Sequence, residues 1–123
     1  MAIDHVGIQV SDLEKSRLFY TRALAPLGIR FIREVGGYLG FGMDEYPEFW
    51  LGVQQSTPQG THVGFLAPDR ETVRRYFEAA VAAGGTVRSA PKVFDVYHPH
   101  FYAAMVLDPD GHNIEVVCHQ PGE

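Results

Sequence analysis

An internal repeat is the feature that most constrains how this chain folds. Residues 61–65 (THVGF) repeat the pattern of residues 4–8 (DHVGI) after an interval of 57 residues, in a chain of 123. Carried forward without a gap, the same interval also matches Asp12 with Asp69, Glu14 with Glu71, and Gly28 with Gly85. A period near half the chain predicts two copies of one supersecondary unit, each too short to bury a core alone.

Composition limits the classes of protein and partner. With 46% hydrophobic and 20% charged residues, the chain is expected to form a single globular domain over residues 1–123. A net charge of −5 provides no basic field, so we expect small-molecule partners and no binding to nucleic acid or membrane. Cys118 is the only cysteine, and the N-terminal residues lack the pattern of a signal peptide, so we expect a cytoplasmic protein.

The first half reads as β-α-β-β-β and is taken as module 1, residues 1–55. Alternating apolar residues predict a strand over 3–10, and Ser11 with Glu14 predicts a capping box that opens a helix. Gly28 is expected to end that helix. Strands are predicted over 29–35, 38–43 and 48–54, the first two joined by a hairpin turn at Gly36-Gly37.

After a polar linker at 56–60, the second half repeats this order as module 2, residues 61–123. Pro68-Asp69 opens its helix and Gly84-Gly85 ends it, and strands are predicted over 61–67, 86–93, 101–107 and 113–118. Matching the ends of the two halves requires about seven extra residues around 93–100 in the second copy. This ring-rich insertion is predicted to be a substrate-shaping loop.

Three polar residues interrupt predicted strands on the side that does not pack against a helix: His5, His62 and Glu115. Two imidazoles and one carboxylate form a facial triad, which suits iron(II), manganese or zinc and leaves positions open for substrate oxygens. A single strand histidine is more often hydrogen-bonded or exposed than metal-bound, and Glu115 alone reads as a solvated edge carboxylate. Two histidines at symmetric positions of a repeat favour the metal site.

The paired units, the DHVG and THVGF segments and the closing DPDGHNIE segment at 108–115 resemble the vicinal oxygen chelate superfamily. That superfamily includes glyoxalase I, bleomycin-resistance proteins, fosfomycin-resistance enzymes and extradiol dioxygenases. The resemblance implies an α+β fold of two tandem β-α-β-β-β modules that form an open eight-stranded cup-like barrel. It also implies a divalent metal held by His5, His62 and Glu115, and a homodimer. Whether the ligands come from one chain or two is left open.

The alignment places Leu51 where glyoxalase I has a fourth, carboxylate ligand, and leucine cannot bind metal. The expected activity is therefore dioxygenase-like or lyase/transferase-like on a small oxygen-bearing substrate. A metal-free binding protein of the bleomycin-resistance type is the alternative. A scaffold with vestigial ligands is a third reading. If Leu51 faces the cup, Phe49 also lines it and Trp50 packs toward the helix.

Proton transfer is assigned to residues in or beside the inserted loop: His98, His100 and Tyr102, with Tyr97 as a further candidate. Loop histidines are also commonly solvated, and His98 with His100 form a poorer rival metal pair. His112, in a turn, and His119, in the C-terminal tail, are expected at the surface.

Overall fold

The computed structural model describes residues 3–53 and 60–123, and it contains the predicted repeat of β-α-β-β-β units. The predicted linker at 56–60 lies outside the described residues except for Gly60. The elements of the first unit are β1 Val6–Val10, α1 Leu13–Ala23, a 3-10 turn Ala25–Leu27, β2 Arg30–Val35, β3 Tyr38–Gly42 and β4 Phe49–Val53. Those of the second are β5 His62–Leu66, α2 Arg70–Ala82, β6 Thr86–Val93, β7 Tyr102–Leu107 and β8 Asn113–Cys118.

Each unit forms its own four-stranded sheet. The strand orders are β1-β4-β3-β2 and β5-β8-β7-β6, and in both sheets the first strand pairs in parallel with the last. Within the described residues the two sheets do not close into one barrel, so the predicted open α+β architecture is confirmed. The turn Gly36-Gly37 has φ of 56° and 87°, which are left-handed values that glycine adopts without strain.

The helix ends follow from local hydrogen bonds. Asp12, and not the predicted Ser11, caps α1, because its side chain accepts from the Lys15 N–H at 3.0 Å. Ser11 instead donates through its backbone N–H to Asp110 of the second unit. Asp69 caps α2 as predicted and accepts from Thr72 N–H at 2.7 Å.

A single buried cluster draws side chains from both units. The rings of Phe49 in β4 and Phe65 in β5 meet edge to face with centroids 5.3 Å apart. Phe49 also packs against Tyr20 of α1, whose ring is 5.1 Å away. Each sheet therefore buries one face against the helices and leaves its other face open. None of the described helices is long and apolar enough to cross a bilayer.

Candidate metal centre

The open face of the second sheet brings two predicted ligands together. His62 Nε2 lies 2.7 Å from Glu115 Oε1, joining the start of β5 to the middle of β8. The His62 side chain is 56% exposed while that of Glu115 is 9% exposed, so an accessible imidazole covers a nearly buried carboxylate. Such a pair offers one nitrogen and one oxygen donor on the same side of the sheet.

A buried hydrogen-bond acceptor beside this pair indicates that a cation or a hydrogen-bond donor can bind at the same face. Asn113 pairs with His62 in the β5–β8 register and lies two residues before Glu115. Its Oδ1 is buried with no hydrogen-bond partner among the described residues. Buried polar atoms are nearly always satisfied, so this oxygen lacks a partner that a bound ion or substrate group would supply. The donors present therefore fit a hard or borderline divalent cation.

His5, the third predicted ligand, is held on the open face of the first sheet by its neighbours. Its Nδ1 donates to Asp4 at 2.7 Å, and Asp4 also accepts from the Tyr46 hydroxyl at 2.5 Å. These bonds, the Tyr46 bond first and the His5 bond second, hold the pKa of Asp4 below its ordinary value. When the Nδ1–H of an imidazole donates to a carboxylate, the lone pair of Nε2 remains free to bind a metal ion, as in metal-binding histidines.

The three predicted ligands do not converge within one chain. His5 lines a cavity of about 300 Å³ at the seam of the two units, together with Asp4, Glu48 and Gly64. His62 lines a separate cavity of about 310 Å³ with Arg88 and Asn113. Among residues 3–53 and 60–123, no group of three or more histidine, cysteine, aspartate or glutamate side chains could hold one ion. Only His62 and Glu115 are in contact.

The strand register corrects the predicted alignment of the two units by one residue. Gly64 pairs with Glu115 in the second unit, and the matching Gly7 pairs with Trp50 in the first. Trp50, and not Leu51, is therefore the counterpart of Glu115. Glu48, two residues before Trp50 and directly ahead of β4, is the counterpart of Asn113. The sequence prediction failed because strand ends were matched through the turns, whose lengths differ between the units.

This correction reverses the prediction of which β4 side chains face the cup and which face the helix. Leu51 is fully buried and Phe49 is 3% exposed, so both point toward α1 and not into the cup. Trp50 instead lies on the open face, where it lines a cavity of about 370 Å³ with His5, Gly7, Val35 and Tyr38. Side chains alternate along a strand, so a shift of one residue exchanges the buried and open sets. Neither tryptophan nor leucine provides a fourth metal ligand.

The inserted loop, residues 94–101, lies at the other end of the second sheet from His62. Tyr102 at the start of β7 pairs with Cys118 at the end of β8, whereas His62 pairs with Asn113 at its beginning. His98 Nε2 lies 2.9 Å from Nδ1 of the exposed His119, and His98 Nδ1 accepts from the His100 N–H at 3.0 Å.

The loop therefore packs on the C-terminal tail. The catalytic assignments of His98 and His100 stay predictions, and this placement does not bring either residue to the His62–Glu115 pair. The surface position predicted for His119 agrees with its exposure.

Tyr102 packs on the helix side of its sheet. Arg70 and Arg74 of α2 stack over its ring at 4.8 and 5.8 Å, and Arg74 donates to its hydroxyl at 3.3 Å. Met105, three residues along β7, pairs with Glu115 and so lies on the open face. The predicted proton-transfer role of Tyr102 gains no support from this position, because strand alternation places its ring on the face opposite to Glu115.

His112 is buried and hydrogen-bonded to both units, so its predicted surface position was wrong. It is fully buried, and its Nδ1 accepts from Thr61 N–H at 2.9 Å. Its Nε2 donates to the Gln9 carbonyl at 2.7 Å, linking the turn before β8 to β1. A turn flanked by aspartates reads as exposed in sequence, and only the packing of two units buries it.

Asp4 and Tyr46 are site residues that the sequence analysis did not assign. Asp4 had a local signal, because a carboxylate directly before a ligand histidine can reach its ring. Tyr46 lies in the bend between β3 and β4 and contacts Asp4 only through the fold.

Comparison with known proteins defines the class. The sequence profile of the Glyoxalase/Bleomycin resistance protein/Dioxygenase superfamily matches residues 2–116, so the chain belongs to that superfamily. Among solved structures, a glyoxalase/bleomycin resistance protein from Albidiferax ferrireducens T118 is 26% identical, with a TM-score of 0.83 over 98% of this chain and 100% of that one.

Two further structures are similar. The hypothetical protein SA1046 from S. aureus is 26% identical, with a TM-score of 0.70 over 96% of this chain and 94% of its own. The oxidase ChaP-H2 shares the fold, at 20% identity and a TM-score of 0.71 over 100% of this chain and 97% of that one. No curated protein matches the sequence significantly. The superfamily contains enzymes and binding proteins, so the site must decide between them.

Proposed function

We propose that this protein is a divalent-metal-dependent enzyme acting on a small oxygen-bearing substrate, with dioxygenase-like or lyase/transferase-like chemistry. The observation that carries the proposal is the contact between His62 and Glu115 on an open sheet face, at 2.7 Å. His5 completes the donor set from the matching strand of the other unit, with its Nδ1 already engaged by Asp4.

We further propose that the three ligands meet across a homodimer. His5 and His62 line different cavities of one chain, so the open face of module 1 would be covered by the open face of module 2 of a second copy. A twofold axis then creates two equivalent sites, each with His5 from one subunit and His62 with Glu115 from the other. The absence of a three-ligand group within the described residues of one chain supports this arrangement.

The residues of the chain would each have a defined task. His62, Glu115 and His5 would hold iron(II), manganese or zinc, which as a Lewis acid stabilises negative charge on a substrate oxygen. Asp4 and Tyr46 fix the ring of His5, and the burial of Glu115 keeps water from its carboxylate. Because Trp50 replaces a fourth ligand, coordination positions would remain for substrate oxygens.

Metal analysis tests the proposal. After treatment with a chelator and reconstitution in turn with iron(II), manganese and zinc, we expect about one ion per chain for at least one metal. His5→Ala, His62→Ala and Glu115→Gln should each weaken binding by tenfold or more, whereas His100→Ala, in the loop, should not. A protein that binds none of the three ions after reconstitution contradicts the enzyme assignment.

A metal-free binding protein is the second candidate, favoured by one observation. The cavity beside Trp50 is open and mainly apolar although no three-ligand group is formed within the described residues. Such a protein would bind ligand stoichiometrically and leave it unchanged. Measuring how much ligand is converted when it is present in large molar excess distinguishes the two candidates. An enzyme converts the excess, whereas a binding protein leaves it unchanged.

A further inference from the structure

The first sheet has an aromatic-walled cavity on the face that carries His5. Its lining residues are His5, Gly7, Val35, Tyr38 and Trp50, and its volume is about 370 Å³, within the range of small-molecule pockets. Val35 and Tyr38 are 54% and 50% exposed, so their side chains are accessible to a ligand. Among the described residues that line this cavity there is no carboxylate, lysine or arginine.

Glycines on the neighbouring strands allow the two rings to lie down on the sheet. A Cβ built on Gly52 would be 2.4 Å from Cε1 of Tyr38, and one on Gly40 would be 2.7 Å from Cβ of Pro47 and 2.9 Å from Cζ3 of Trp50. Any larger residue at either position would lift the ring that covers it. A Cβ built on Gly7, which also lines the cavity, would meet no atom closer than 3.9 Å, so the space above this glycine is open.

The repeat shows which residue of the second unit is equivalent to Trp50. Trp50 is the counterpart of Glu115, because each pairs with the equivalent glycine of its first strand. This position therefore holds the carboxylate of the proposed metal centre in one unit and a flat apolar ring in the other. A tryptophan at that position can stack on a ligand whose polar end reaches His5.

From these observations, we propose that the Trp50–Tyr38 cavity binds a flat, uncharged aromatic ring and so sets the substrate class of the enzyme. The inference rests on the proposed function in taking the protein as an enzyme whose metal would lie at the His5 end of the cavity, whereas the binding of the ring itself does not. The lining favours a ring over an aliphatic or anionic group, because stacking provides the attraction and the described part of the wall contains no lysine or arginine.

The test uses 2-naphthol as a probe on the full-length, chelator-treated protein, with its saturated analogue decahydro-2-naphthol as the control. Calorimetry should show saturable binding of 2-naphthol and binding at least tenfold weaker for the saturated compound. Trp50→Leu and Tyr38→Leu should each weaken 2-naphthol binding about tenfold, whereas Trp50→Phe, which keeps a flat ring, should retain most of the affinity.

A second measurement needs no variant. Trp50 is the only tryptophan of the chain, so a ¹H–¹⁵N spectrum has a single indole Nε1–H peak. That peak should shift on titration with 2-naphthol and give the same dissociation constant as calorimetry. Equal affinity for the flat and saturated compounds, an unmoved indole peak, or no binding at millimolar 2-naphthol would each overturn the inference.

Because the probe is added without metal, these outcomes are independent of whether His5, His62 and Glu115 bind an ion. A protein that binds 2-naphthol but no metal would refute the proposed function and keep the aromatic site.

Discussion

Asp108 is a buried carboxylate whose hydrogen bonds connect the two units of the chain. It is 4% exposed, and it accepts from the hydroxyl of Tyr20 at 2.6 Å and from the backbone N–H of Asp110 and His112. Tyr20 belongs to α1 in the first unit, so this hydrogen bond joins it to the turn before β8 in the second. A hydrogen bond to a buried charge contributes more than one between neutral groups.

Tyr20→Phe should therefore lower the free energy of unfolding by about 1.5–3 kcal/mol. Tyr76 is the matched control: it is also fully buried, but its hydroxyl donates to the neutral carbonyl of Ile114 at 2.7 Å. Tyr76→Phe should cost about 0.5–1.5 kcal/mol. Urea denaturation of the three proteins measures the difference. Equal losses would show that the charge of Asp108 adds nothing to the bond.

Tyr20 also predicts that the stability of the protein depends on pH. Burial, and then the negative charge of Asp108, raise the pKa of Tyr20 well above its ordinary value of 10. The unfolded chain thus releases a proton near pH 10 that the folded chain keeps, so stability is fully present below about pH 10 and falls as pH rises further. Tyr20→Phe should show a shallower loss between pH 9 and 11. An unchanged slope would contradict the assignment.

At the scale of elements, the end of α2 is fixed by two glycines with different tasks. Gly84 has φ of 99°, and the Gly85 N–H donates to the carbonyl of Ala80 at 2.9 Å, as in a Schellman motif. A Cβ on Gly85 would lie 2.4 Å from Cγ1 of Val106 and 2.9 Å from Cε1 of Phe19. Helix α2 can therefore turn into β6 without displacing its neighbours only if this position has no side chain.

Gly85→Ala should destabilise the protein by about 1–3 kcal/mol, because the added methyl group displaces packed atoms of β7 and α1. Gly84→Ala is the control at the same helix end: nothing lies within 4 Å of its Cβ, and only the left-handed backbone is strained. It should cost about 1–2 kcal/mol. Thermal unfolding of Gly85→Ala in a Val106→Ala background decides the cause, since relief of the clash should recover part of the loss.

At the scale of the whole molecule, the repeat places one half of the proposed centre on each unit. If the site is shared between subunits, a His5→Ala chain and a His62→Ala chain are complementary. Their mixed dimer contains one intact site, with His62 and Glu115 from the first chain and His5 from the second. The other site lacks both histidines.

Co-expressed chains with two different affinity tags should therefore yield a heterodimer that binds about one metal ion per dimer, while each parent homodimer binds far less. The double variant His5→Ala/His62→Ala paired with the wild type is the control, since it leaves no intact shared site. Metal content equal to that of the parent homodimers would show that the ligands are not shared in this way.

The sequence by itself determined the repeat, the order of elements and the ligand candidates. Hydrophobic alternation, caps such as Asp69 and the turn at Gly36-Gly37 are local signals, because each depends on neighbours within a few residues. The placement of the His62 and Glu115 side chains on the sheet face away from the helix also followed from alternation and the repeat.

Only the tertiary structure decided which residues share a register. Three features depend on strands or turns that are distant in the chain: the position of Trp50, and not Leu51, as the counterpart of Glu115, the burial of His112, and the hydrogen bond from Tyr46 to Asp4. A pairing register is set by packing over the entire sheet, and a shift of one residue reverses every side chain of a strand. That physical fact moved the tryptophan from the predicted core to the open face beside His5.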